Sequence, residues 1–392
     1  MDAAEPSQTT DLRHERRMLD LAARAALRAT GRVEPGTTVG CVIERDGEVL
    51  AIGRHQRFGD LHAEREALES AVLAGVDVRG ATAWVTLEPC CHQGKQPPCT
   101  DALIEAGIAR VVAAQRDPNP LAAGGFDVLR AAGVEVRTSE ASPMAVAASE
   151  PFVKRMTTGL PWVTAKWAQT IDGRVATRSG ESKWISGPMS RRRVHRRRGM
   201  SDVVLTAIGT VLADDPMLNV RGVVSRRQPR RVVVDRDLDI PMESALVRTA
   251  RDIPTLIACD KVLARASITE GKRRALEAAG CEVAGVPQGP GGVDLRLLME
   301  YLVRTHRVAH VMVESGPGLL GSLFEADLVD AAVVYVAPML LGDEMARSVV
   351  AGRVAASLAN GRPMRLVRTK VISGDLELTY RRPRLEDHVS SD

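Results

Sequence analysis

Between Val39 and Val136, short apolar runs alternate with stretches of helical periodicity, and few architectures accommodate that rhythm. Val39–Ile43 and Val49–Gly53 read as strands joined at Arg45-Asp46-Gly47, where the Asp-Gly pair favours a hairpin turn. Helical spacing follows over Ala63–Ala74, then a strand over Thr82–Leu87, a helix over Ala102–Ala106 and a strand over Arg110–Ala114. Phe126–Ala132 and Val134–Val136 add one more of each. Elements in this order bury their strands between helices, so a three-layer α/β/α domain is expected over residues 12–142. A helix over Arg17–Thr30, with Leu19, Ala22, Ala23, Ala26 and Leu27 on one face, precedes it, and Pro35-Gly36 marks a turn.

A second β-rich rhythm starts at Trp162 and predicts another α/β domain over residues 160–386, with Pro143 to Gly159 carrying the chain between the two. Its expected strands are Trp162–Trp167, Val203–Thr206, Arg231–Val234, Thr255–Ala258, Val308–Val313 and Ala331–Val336. Helices are expected at Ser190–Gly199, Lys272–Ala279, Leu295–Thr305 and Leu319–Ala326. A length of 392 residues suffices for two cores, and with 3% aromatic residues those cores must be built largely from Ala, Val and Leu. No apolar run is long enough to span a bilayer, and Met1 to Arg17 reads as a polar, frayed tail without a signal peptide's apolar stretch. Together these point to the cytoplasm.

Three of the six cysteines, Cys90, Cys91 and Cys99, lie close together, whereas Cys41, Cys259 and Cys281 sit in or beside apolar runs as small buried side chains. Clustered cysteines without a secretion signal more often hold a metal than form disulfides. Leu61-His62-Ala63-Glu64 opens a helix and Glu88-Pro89-Cys90 ends a strand, with Cys99 in the loop that follows. One imidazole and two thiolates from His62, Cys90 and Cys99 supply three ligands to one zinc ion, leaving the fourth tetrahedral position for a water whose pKa falls to about 7. Glu64 is placed to shuttle that water's proton without touching the metal, as in the His-x-Glu, Pro-Cys signature of zinc nucleobase deaminases. Cys91 and His92 are spare donors for which a tetrahedral site has no room.

Thr86-Leu87-Glu88-Pro89-Cys90, His92, Gly94, Pro97-Pro98-Cys99 and Asp117-Pro118-Asn119-Pro120 together resemble the deaminase half of bifunctional riboflavin-biosynthesis deaminase/reductases. The resemblance continues through Val39-Gly40-Cys41-Val42, and implies a cytidine-deaminase-like fold that converts a phosphoribosylated diaminopyrimidinone to the matching uracil. Two departures stand out. Where that family carries Pro-Asn-Pro, whose amide holds the pyrimidine, this chain reads Pro35-Gly36-Thr37, and a Ser-His-His run is here Cys91-His92-Gln93. On this reading an amide side chain restored by Gly36→Asn is expected to strengthen deamination.

In the second half, Thr170-Ile171-Asp172-Gly173-Arg174, Gly180-Glu181-Ser182, Trp184-Ile185-Ser186, Gly209-Thr210-Val211 and Ala213-Asp214-Asp215-Pro216 follow in order. They resemble the reductase half of the same enzymes, a dihydrofolate-reductase-like α/β fold that opens the ribose to ribitol with NADPH. The resemblance implies that Ala168, Trp184, Thr210 and Asp214 line the cofactor, together with Gly316, Pro317, Gly318, Leu319, Leu320, Gly321 and Ser322. It likewise implies that Ser182, Arg198, Leu218, Arg221 and Glu314 hold the substrate, with Lys166 as a further polar contact. Physical chemistry agrees in part, since Arg198 with Arg221 could supply bidentate contacts to a phosphate. Gly316 to Gly321 matches Gly-x-Gly-x-x-Gly after an apolar strand, and no acidic residue for a ribose 2′-hydroxyl follows about twenty residues on. That absence suits NADPH, or a non-Rossmann fold using the same helix N-terminus.

Arg191 to Arg198 is the strongest charge run, in a chain whose net charge is only +4. Nucleic acid is the sharper reading of it, a solvated helix face the plainer one, and no aromatic stacking platform lies near. Two alternatives to a riboflavin enzyme therefore stand: a paralogue acting on another pyrimidine, motivated by Gly36, and a base deaminase bound to nucleic acid, motivated by the arginines. The expected partner is a phosphoribosylated pyrimidine, with no membrane; a homo-oligomer is left open.

Overall fold

In the computed structural model, which describes residues 6–383 except 35, 226, 353 and 354, the chain divides into two units that part between Gly159 and Leu160. Pro35, half of the expected Pro35-Gly36 turn, lies outside the described residues. The first unit holds a five-stranded sheet of β1 (Gly40–Arg45), β2 (Glu48–Arg54), β3 (Thr82–Val85), β4 (Arg110–Ala113) and β5 (Glu135–Thr138), in the order β2-β1-β3-β4-β5. The hairpin between β1 and β2 turns at Asp46 and Gly47, both with positive φ, as the Asp-Gly signal requires.

The two-residue period of these strands sorts the side chains into two cores. Cys41, Ile43, Val85 and Val111 face helices α2 (Ala63–Leu73), α3 (Cys99–Glu105) and α4 (Gly125–Ala131), where Leu68, Leu103, Phe126 and Leu129 complete a buried cluster. Val42, Trp84 and Val112 face the other way, against Met18, Leu19, Ala22 and Ala23 of α1 (Pro6–Leu27) and Ala145 and Val146 of α5 (Pro143–Thr158). The helix α1 therefore begins ahead of Arg17, within the stretch expected to be a frayed tail. Leu19, Ala22, Ala23 and Ala26 of the expected face are buried, but Leu27, at the helix end, is exposed; the polar first turns have no apolar periodicity to announce them. The expected link from Pro143 onward is likewise a helix, capped by Ser142, whose hydroxyl accepts the amide of Ala145.

One close approach fixes where the first site lies. A Cβ on Gly53 of β2 would fall 2.1 Å from the carbonyl oxygen of Ala63, so only glycine lets the start of α2 sit against the sheet. That contact sets the position of His62, the residue before α2.

The second unit is built on a nine-stranded sheet ordered Cys281–Val286, Thr255–Asp260, Arg230–Val234, Val203–Ala207, His310–Val313, Trp162–Gln169, Ala331–Val336, Asp375–Arg381 and Arg365–Ile372. The first seven are parallel, and the last two form an antiparallel hairpin on the edge. The strand Cys281–Val286 and this hairpin were not anticipated; Arg365–Val371 is exposed along its length and alternates charge with apolar residues like any solvated edge. No described helix is long and apolar enough to cross a membrane.

A buried cation pins the loops of this unit. Arg231 is fully buried and donates to the hydroxyls of Thr249 and Thr255 and to the carbonyls of Met217, Leu246, Thr249 and Ile253. Burial pulls its pKa down to about 10, with Cys281 and Asp252 opposing it more weakly. Arg231→Met, which keeps bulk but strands those acceptors, is expected to destabilise the second unit by about 3 kcal/mol or more in urea unfolding.

Candidate active sites

At the carboxyl end of β3 the chain turns through Glu88-Pro89-Cys90, and α2 and α3 begin beside it. His62 Nδ1 lies 3.4 Å from Cys90 Sγ and 3.3 Å from Cys99 Sγ. These three are the one group among the described residues whose donor atoms could share a metal, all within 4.8 Å of one another. The amide of Cys99 donates to the carbonyl of Cys90 at 3.0 Å, which folds the long loop so that both sulfurs point inward. A His-Cys-Cys set at this spacing suits tetrahedral zinc. In the protein alone, the Cys90 thiol is drawn down to about 4 by the hydrogen bond from Cys99 and by His62, while that same bond and burial push Cys99 up. Such a pair holds one proton that a divalent cation displaces.

Glu64 is buried in the first turn of α2, and burial with the Cys90 thiolate pushes its carboxyl up to about 7. The group is poised to take and give a proton near neutrality. Cys91 turns away, its thiol 3.3 Å from the carbonyl of Ala123.

Two residues without a role assigned from sequence shape this site, His55 and the motif residue Glu88. His55 is buried with its Nδ1 2.9 Å from the carbonyl of Leu61, which assigns the proton to Nδ1, and its ring packs edge-on to His62 at 5.4 Å. Glu88 accepts the amides of Phe126 at 2.9 Å and Asp117 at 3.2 Å and pairs with Arg116, tying the Asp117–Pro120 turn to the metal loop. A lone His or Glu carries no periodic signal, and only the long-range pairing reveals these roles.

Gly36 corrects the expectation placed on it. Its amide donates to the carbonyl of Val33 at 2.8 Å, and a Cβ would lie 2.8 Å from that same oxygen, with Phe58 at 3.4 Å. The loop closes on a glycine, so an amide side chain cannot enter without moving backbone.

In the second unit, α6 (Pro188–Arg198) and α7 (Ile208–Asp214) flank the strand ends. Glu314, just past His310–Val313, receives both Nε and Nη2 of Arg198 at 2.5 and 2.9 Å and lies 3.7 Å from Lys166 Nζ. Although burial opposes ionisation, Arg198 and Lys166 hold its carboxyl at about 2, and burial lowers Lys166. Arg198 spends its third nitrogen on the carbonyl of Asn219, so its fork is not free for a phosphate as the sequence suggested. Asn219 also receives His195 on its carbonyl and Arg221 on its side chain, which leaves Arg221 as the arginine with donors to spare.

Thr210 accepts the amide of Gly316 at 3.2 Å, joining two of the expected cofactor residues. Gly316 caps the helix Pro317–Glu325, Gly318 is exposed with open space beside it, and Ser322 is half-buried. Leu319 and Leu320 are buried in the core, and a Cβ on Gly321 would meet the Ala351 carbonyl oxygen at 1.9 Å, so these three pack the helix. Leu218 also sends its side chain into a core cluster and can meet a ligand only through backbone. Trp184 is exposed and stacks under Arg191 at 4.4 Å, and Asp214 pairs with Lys183 at 3.5 Å. Ala168 and Ser182 are half-buried, Ala168 beside the cluster of Val194 and Tyr335.

Residues 12–115 match the cytidine and deoxycytidylate deaminase zinc-binding region, and residues 161–378 match the RibD C-terminal domain. A riboflavin biosynthesis protein RibD of Actinobacillus pleuropneumoniae is 38% identical over 95% of both chains. The chain belongs to the RibD family of bifunctional deaminase/reductases. The RibD of Escherichia coli is 40% identical over 82% of this chain and 87% of its own. Among solved structures, RibD of Acinetobacter baumannii superposes with a TM-score of 0.79 at 33% identity, covering 95% of this chain and all of that one. A diaminohydroxyphosphoribosylaminopyrimidine deaminase/5-amino-6-(5-phosphoribosylamino)uracil reductase of Thermotoga maritima gives 0.80 at 29%, with the same coverage. A RibD fold thus carries both clusters: cytidine-deaminase-like around His62, dihydrofolate-reductase-like around Glu314.

Two outcomes are expected. Purified protein should contain one zinc per chain, lost in Cys99→Ala and kept in Cys91→Ala by elemental analysis. Gly36→Asn should keep zinc but lower deaminase kcat/KM by about ten-fold or more, because displaced backbone moves the substrate contacts; a rise would show that the loop yields.

Proposed function

We propose that this RibD-type chain deaminates 2,5-diamino-6-(5-phosphoribosylamino)pyrimidin-4(3H)-one at the first site and reduces the resulting 5-amino-6-(5-phosphoribosylamino)uracil to its ribityl form at the second, using NADPH. The observation that carries the reading is the His62, Cys90 and Cys99 cluster with Glu64 buried beside it. His62, Cys90 and Cys99 would hold the zinc, which would supply the Lewis acidity that makes water nucleophilic at neutral pH. Glu64 would pass one proton of the attacking water to the ring nitrogen and the other to the amino group, which leaves as ammonia while the ring carbon gains a carbonyl. His55, with its proton fixed on Nδ1, leaves Nε2 as an acceptor on the side of Gly36.

In the second unit the amides of Gly318 and Leu319 head the helix Pro317–Glu325 without an intrahelical acceptor, and Pro317 has none to offer. Those free donors suit a pyrophosphate, and with Ala168, Trp184, Thr210, Asp214, Gly316 and Ser322 they would hold NADPH, which supplies the hydride. Leu320 and Gly321 support that helix from within. Arg221 would take the substrate phosphate, with Ser182 and the backbone of Leu218 as further substrate contacts. Arg198 acts by orienting Glu314 and Asn219, and Lys166 with Glu314 forms a charged pair that would meet the ribose hydroxyls.

The assignment separates cleanly by mutation. Glu64→Gln should keep its zinc and lose deamination by about 10²-fold or more, yet reduce the deaminated intermediate at the wild-type rate. Arg221→Gln should deaminate normally and raise the reductase KM. An equal reductase rate with NADH at limiting concentration would overturn the choice of cofactor.

A further inference from the structure

The six arginines between Arg191 and Arg198 are not equivalent. Arg193 forks onto Glu377 at 2.7 and 2.8 Å, Arg197 reaches the same carboxylate at 3.1 Å, Arg198 is spent on Glu314, and Arg191 lies over Trp184. Arg192 and Arg196 remain, one turn apart on a single face of α6, exposed and, among the described residues, without an ion pair. Met189, Arg192, Arg193 and Arg196 form one wall of a cleft of about 300 Å³ whose other wall is Lys370–Ser373, at the end of the antiparallel hairpin.

Lys370 stands opposite Glu377 in the strand register and so faces the same side of the sheet. Glu377 cannot neutralise it, because its oxygens already serve Arg193, Arg197 and the hydroxyl of Tyr335 at 2.8 Å. The other nearby carboxylate, Asp375, accepts the amide of Gly187 at 2.7 Å. Arg192, Arg196 and Lys370 therefore face one cleft from two walls, and none of the three forms an ion pair among the described residues. Like charges held across a groove repel unless an anion lies between them.

We infer that this cleft binds a compact, multiply charged phosphate anion of the size of pyrophosphate, gripped by Arg192, Arg196 and Lys370. Guanidinium forks match phosphate oxygens, and the apolar side chains of Met189 and Ile372 limit the depth. A polynucleotide is disfavoured because no aromatic side chain lines the cleft to stack a base. The site is separate from the reductase centre, which α6 meets through His195 and Arg198.

Differential scanning calorimetry of the full chain with pyrophosphate at constant ionic strength tests the inference. Saturation should raise the melting temperature of the second unit by about 3 °C or more in wild type. R192Q/R196Q should melt no lower than wild type without the anion, because repulsion is relieved, should lose most of the pyrophosphate shift, and should keep both enzymatic activities. K370Q, a single exposed change, should lose part of the shift and decides the matter if the double variant folds poorly. An undiminished shift in R192Q/R196Q and K370Q would place the anion elsewhere, beside Arg221, and overturn the site. Salt-sensitive binding of transfer RNA that these changes abolish, with no pyrophosphate shift in wild type, would overturn it in favour of a polynucleotide.

Discussion

In each unit a carboxylate buried just past the end of a parallel strand organises the chemistry around it. Glu88 follows β3 and Glu314 follows His310–Val313. A buried carboxylate is tolerable only when its oxygens are matched by donors, and both are. Glu88 takes two backbone amides and Arg116; Glu314 takes the fork of Arg198 and the charge of Lys166. The partners come from segments distant in sequence, the Arg116–Asp117 turn and α4 for Glu88, α6 and the strand Trp162–Gln169 for Glu314, so satisfying one charge draws several segments to one end of a sheet. Cys90 follows Glu88 in the same turn, and Asn219 is tied to Glu314 through Arg198.

The arginine-rich helix shows how a charge run divides its labour. What reads in sequence as a uniformly basic face is split by the folded chain into arginines that neutralise Glu377, one that neutralises Glu314, one stacked on Trp184, and two that face a cleft. Buried pairs of this kind are costly to break from one side, which holds α6 firmly against the sheet. The same rigidity positions Asn219, where His195, Arg198 and Arg221 meet.

Much of the fold was legible because the periodic signals were strong. Strands buried on both faces read as Val-rich runs, the Asp46-Gly47 turn announced its hairpin, and the alternation of elements implied α/β layers. The first turns of α1 escaped because they are polar, and the edge hairpin of Arg365–Ile372 with Asp375–Arg381 escaped because its outer strand mixes arginine, lysine and valine without a buried face. Leu218, Leu319, Leu320 and Gly321 fall within motifs that suggest ligand contact, yet packing turns their side chains or Cα atoms to the core.

The sequence by itself determined the chemistry of the first site, because His62, Glu64, Cys90 and Cys99 are residue types with few other uses in that order, and it determined the family through motifs spread along both halves. Only the tertiary structure decided which of the described cations stand without an ion pair, which glycine heads a helix with open space beside it and which is a packing notch, and what backbone faces residue 36. Those outcomes depend on what faces each residue from distant strands and loops. Local sequence holds no record of a carbonyl 2.8 Å away or of a carboxylate on a strand nearly two hundred residues later.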